Sequence, residues 1–224
     1  MWNPLGNFNP DADVIPEVLA AAKAFAATLP SVPAGDLKRG YFHWTVAPMG
    51  MCFADYNFEA LIENGKWSLK MTHDPRDNAP GVDDNAVASH TYMRNTGAIG
   101  IAITGMDGAG VGIHNFGSDP VTVMGLTYLC AGMAAACYKY GIDVNGLSSG
   151  SPYGGEPNLL THAEAANRPG NPKQYDNYFV TGERWDLASF QPLPAGVDLT
   201  AEMATVCGNA LRALTHKYKL ALEG

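Results

Sequence analysis

The stretch TGAIGIAITG, residues 96–105, constrains the fold most. It is short, isoleucine-rich and bounded by glycines, the pattern of a central strand buried on both faces. The sequence predicts elements to cover it. A helix is expected near 14–28, closed by Pro30 and Pro33, and a strand near 39–46. Residues 51–62 alternate as a strand, ENGKW turns at Asn64-Gly65, and 67–73 returns as a hairpin partner. Residues 74–88 read as loop, and 106–120 as a glycine-rich loop. A mostly apolar helix follows over 121–140, with Gly141 placed as its C-terminal cap. A long irregular stretch over 145–180 is interrupted by LLTHAEAA, 159–166. The last helix spans about 198–221, opened by Asp198 or Thr200 with Glu202 in its first turn. The expected class is α/β: a small central mixed β-sheet flanked by helices, in one domain over residues 1–224.

Composition narrows the function. Hydrophobic residues make up 46% of the 224-residue chain and charged residues 16%, an ordinary globular balance. A net charge of −8 argues against a nucleic-acid partner, which requires clustered Lys and Arg. No apolar run reaches membrane-spanning length, and the N-terminal residues lack the basic and apolar regions of an ordinary signal peptide, so synthesis in the cytoplasm is expected. The four cysteines show no CxxC spacing. Cys130 and Cys137 stand two helical turns apart, roughly 10 Å, too far for a disulfide, so reduced cysteines are expected.

Of six histidines, His216 lies among basic residues on the last helix and His114 in the glycine-rich loop. His43, His90 and His162 share a local pattern: FHWT, ASHT and LTHAE each place the imidazole after a strand-like run. Strand ends fix ligand geometry while the following loop leaves room for substrate, so these three are metal-ligand candidates as well as ordinary structural histidines.

Five segments in order carry a resemblance to the zinc-dependent N-acetylmuramoyl-L-alanine amidases, the amidase-2 family that includes T7-type phage lysozymes and peptidoglycan recognition proteins. They are FHWTVAP (42–48), DYNFEALIENGKW (55–67), AVASHTYMRNTGAIGIAITGMDG (86–108), LLTHAEA (159–165) and ERWDLA (183–188), together covering a catalytic core of about 39–190. The resemblance implies one zinc ion held by His43, His162 and Asp186, with a fourth position open for catalysis. Tyr56 matches a tyrosine that positions water or stabilises the tetrahedral intermediate; its alternative is a half-buried strand tyrosine. Arg184 matches a lysine and would act as a fixed cation toward an oxyanion, or as a rim ion-pair residue. His90 matches a groove histidine, for substrate or for support of a ligand. Trp44 and Thr45 flank the first ligand and would line the groove, with packing the alternative for Trp44. Asn95 is assigned to the same groove and, with Thr96, to the turn before the central strand.

Two departures matter. Ala102 stands where one branch of the family carries a catalytic glutamate, and the insert 167–183 makes Asp176 a rival to Asp186 as third ligand. The implied reaction is hydrolysis of the amide between N-acetylmuramic acid and L-alanine, by a phage endolysin or bacterial lytic amidase acting on the wall. The alternatives are a peptidoglycan-binding protein without activity, a cytosolic enzyme recycling wall fragments, and a structural protein with no metal. No GxSxG elbow supports a serine hydrolase.

Overall fold

The computed structural model describes residues 2–83, 85–91, 94–110, 113–149, 154–167 and 185–224. Helix α1 is Pro16–Thr28, with proline in its first turn, where the missing N–H costs nothing. Strands β1 (Arg39–Trp44), β2 (Phe58–Glu63), β3 (Lys66–Met71), β4 (Ala98–Ile103) and β5 (Leu159–Thr161) form one five-stranded mixed sheet, ordered β3-β2-β4-β1-β5. Only the β2–β3 hairpin is antiparallel; β2–β4, β4–β1 and β1–β5 are parallel. The predicted central strand is β4, every residue of it buried.

Two differences from the sequence reading concern 51–62 and 74–88. The strand starts only at Phe58, and residues before it are loop and turn. Asn57 ends the pairing: its N–H donates to Gly100 O (3.0 Å) and its Oδ1 accepts from Gly100 N (2.9 Å). The loop after β3 contains a 3-10 turn, Pro75–Asn78, capped by the Asp74 carboxylate.

Helix α2, Val123–Tyr140, opens on Thr122 and closes on Gly141 at φ 70°. It lies on the sheet face formed by Phe42, Trp44, Phe58, Ala60, Ile99, Ile101 and Ile103, with α1 beside it. Gly132 allows the close approach: a Cβ there would meet Ile101 at 2.6 Å. Helix α3, His162–Ala166, follows β5 directly. Helix α4, Ala201–Glu223, starts from Thr200 rather than Asp198, because the Thr200 hydroxyl accepts from Met203 N. It packs on α2 and α3. Side chains alternate across a strand, so the opposite sheet face carries Tyr41, His43, Gly100, Ala102 and Glu59. Among the described residues no helix is long and apolar enough to cross a membrane.

Candidate metal centre

His43 sits one residue before the end of β1, and His162 is the first residue of α3, next to the end of the neighbouring β5. Parallel pairing therefore brings two imidazoles separated by 119 residues to the same end of the sheet. The short helix is fixed by a full capping box: Thr161 Oγ1 accepts from Glu164 N (3.0 Å), and Glu164 Oε2 accepts from Thr161 N (2.9 Å). Asp186 arrives on a turn after Trp185. On the far side of the sheet, Trp185 packs edge-to-face on Trp44, ring centroids 5.4 Å apart, which locks the Asp186 segment to β1. Ala163 N also donates to Asp186 O (3.3 Å).

The three side chains converge. His43 Nδ1 is 3.2 Å from His162 Nδ1 and 3.0 Å from Asp186 Oδ2, and His162 Nδ1 is 2.9 Å from Asp186 Oδ1. Donor atoms held by one tetrahedral zinc lie about 3.3 Å apart, given bonds of about 2.0–2.1 Å. The observed triangle is a few tenths of an ångström tighter. Hydrogen bonding accounts for one side of it, His43 Nδ1 to Asp186 Oδ2, and not for the others. Asp186 Oδ1 has no hydrogen bond of acceptable direction despite its short approach to His162, and the two imidazole nitrogens face one another. Lone pairs pointing at a shared centre explain both facts, so the residues fit a divalent ion. The group is nearly closed to solvent, with His43 1% and Asp186 4% exposed. Burial alone would raise the Asp186 carboxyl, but His162 and His43 override it and hold it well below the usual carboxylate range.

Tyr56 stands beside the triad, its ring centroid 5.1 Å from that of His43 and its hydroxyl donating to Trp44 O (3.4 Å). Burial, then the carboxylates of Asp186, Asp55 and Glu59, push its phenol well above the ordinary value, so it keeps its proton as a donor. His90 is buried behind His43, ring centroids 5.4 Å apart. Burial, with His43 and His162 next, holds it neutral.

The remaining groove assignments have structural partners. Trp44 is 2% exposed, on the sheet face away from His43, against Phe116 and Trp185: of its two readings, packing is the observed one. Thr45 Oγ1 accepts from Gly105 N (3.1 Å), joining the ends of β1 and β4. Asn95 takes part in the expected turn: its Oδ1 accepts from Thr91 N (2.8 Å) and its carbonyl accepts from Asn78 Nδ2 (3.1 Å). Arg184 and Asp176 lie outside the described residues.

Sequence reading missed Glu59. It pairs in register with Ala102, which pairs with His43, so all three lie in one row on one face. Its Oε1 accepts from Phe53 N (2.8 Å), while Oε2 is buried without a hydrogen-bond partner among the described residues. Burial pushes its carboxyl up. A carboxyl raised on folding costs nothing below the ordinary carboxylate value of about 4.3; the cost grows as pH rises from there and is complete above the raised folded value. Glu59→Gln is therefore expected to raise Tm at pH 8 and to lose that advantage at pH 4; an equal effect at both pH values would remove ionisation as the cause.

No protein-family model, curated protein or solved structure matches this chain. Fold and site together define a mixed α/β protein with a buried His-His-Asp group able to hold a metal ion.

Proposed function

We propose that this protein is a zinc-dependent N-acetylmuramoyl-L-alanine amidase that cuts the lactyl–L-alanine amide of peptidoglycan, as a phage endolysin or bacterial lytic amidase. The observation supporting it is the convergence of His43, His162 and Asp186 from distant segments at one sheet end. Two imidazoles and a carboxylate suit zinc with an open position. When bound, such an ion polarises a carbonyl and acidifies a water at neutral pH.

The chain's own groups supply the rest. Asp186 remains ionised and brings the negative charge of the ligand set. Tyr56, protonated and next to His43, exchanges its long hydrogen bond to Trp44 O (3.4 Å) for one to the oxygen of the tetrahedral intermediate or to the attacking water. Ala102 leaves the central strand without a carboxylate, so proton transfer does not run through that position. Arg184 is assigned the electrostatic role of a fixed cation.

The test is digestion of purified peptidoglycan, with mass spectrometry of the released material. Stem peptides with a free N-terminal L-alanine are the expected product. Tyr56→Phe should lower kcat by about 10²–10³-fold, the usual cost of removing one such donor. Binding without release would make the protein a peptidoglycan-binding module, and neither binding nor release would sink the reading.

A further inference from the structure

We infer that Thr91 and His90 form a hydrogen-bonded relay that sets which nitrogen of His43 carries its proton, and that Thr91 is the outer positioning residue of the metal centre. The inference rests on the metal reading of the His43–His162–Asp186 group, but not on the substrate.

Nδ1 of His43 faces the other two ligands. For that nitrogen to present a lone pair, the ring proton must sit on Nε2, and Nε2–H needs an acceptor. Thr91 Oγ1, 3.3 Å away, is in place to accept it. The Thr91 hydroxyl hydrogen is then directed to His90 Nδ1, 3.0 Å further on. That nitrogen must be bare, so His90 carries its proton on Nε2. Ligating histidines ordinarily require such an outer partner to fix ring and tautomer.

The relay is rigidly built. Thr91 is fully buried. Its N–H donates to Asn95 Oδ1 (2.8 Å) and its carbonyl accepts from Arg94 N (3.0 Å), while the Arg94 guanidinium is paired with the buried Glu156 at 2.6 Å. The His90 ring lies flat against Gly100 of β4, where a Cβ would sit 2.4 Å from its Cγ. The central strand thus carries a glycine where the second member of the relay needs room. His162 differs: its Nε2 is buried without a partner among the described residues.

The same three groups accept the opposite polarity. With His43 Nδ1–H donating to Asp186 Oδ2, the Thr91 hydroxyl donates to His43 Nε2 and His90 Nδ1–H donates to Thr91.

The experiment uses the full chain at neutral pH, with zinc affinity measured by competition against a chromophoric chelator. Thr91→Val keeps the shape and removes the hydroxyl; it should weaken zinc binding by about 10–100-fold. Thr91→Ser should return it to within a few-fold of wild type. In 15N-histidine spectra of the zinc-loaded wild type, His90 should carry its proton on Nε2 and leave Nδ1 bare to accept from Thr91. This readout holds even if Thr91→Val does not fold. Wild-type affinity in a folded Thr91→Val, or a His90 proton on Nδ1 in the zinc-loaded protein, would overturn the inference, as would a wild type that binds no zinc. Thr91-dependent zinc binding in a protein that leaves peptidoglycan intact would keep it and remove the amidase reading instead.

Discussion

Wild-type protein purified without chelators is expected to carry about one zinc per chain, and His162→Ala and Asp186→Ala are expected to carry none. With three protein ligands the loss of any one leaves two, so the effect should exceed the about 10–100-fold typical of an outer partner. Asp186→Asn sharpens the test. The carboxyl is held below its ordinary range on folding, so its contribution to stability is present above the unfolded carboxylate value of about 3.9 and fades only as pH falls toward the lower folded value. Asp186 is thus charged at every pH suitable for assay, and the amide removes that charge while keeping the volume. Zinc lost from Asp186→Asn in a protein that still unfolds cooperatively would assign the charge to the ion. Zinc retained in Asp186→Ala would transfer the third ligand to another group, and Asp176 is the named rival.

Two members of the candidate metal group were legible from local pattern, and Asp186 only from the resemblance. His43 lies one residue before the end of β1 and His162 directly follows β5, each after an apolar run. The hairpin was legible from Asn64-Gly65, and the central strand from its glycine-bounded isoleucines. Glu59 was not. A glutamate inside FEALIE reads as the solvent side of an alternating strand, and only the register with Ala102 and His43 shows that its side chain is enclosed. Thr91 was missed for a related reason. A threonine after a histidine has no signature, and its role depends on His90 and Thr91 lying against Gly100 of β4 and His43 of β1. The start of β2 was overextended because the alternation of residues 51–57 continues past the point where Asn57 closes the ladder with its side chain. The Thr161…Glu164 spacing, by contrast, is a capping-box signature that could have marked the start of α3 directly behind β5.

The C-terminal helix reaches the site through one buried ion pair, and breaking it is expected to have the largest effect on stability. Arg212 of α4 donates from both terminal nitrogens to the Glu164 carboxylate, each at 2.9 Å, and Nη1 also donates to Leu159 O (2.7 Å). Glu164 is at the same time the capping residue of the helix that begins with His162. Gly208, one turn before Arg212, leaves the space this carboxylate fills; a Cβ there would lie 1.9 Å from Glu164 Oε2. Arg212→Met should cost about 3–5 kcal/mol in urea unfolding, since it strands a buried carboxylate without its partner. Adding Glu164→Gln should recover part of that loss, because the two side chains act as one unit and their effects do not add. A cost below about 1 kcal/mol for Arg212→Met would show that the pair is screened like a surface bridge. The same helix also holds the Asp186 segment, through the Cys207 thiol directed at Ala188 O (3.4 Å). If α4 is a brace for the ligands, Arg212→Met at a temperature where it remains folded should also bind zinc more weakly. If it only packs the core, stability should fall with zinc affinity unchanged.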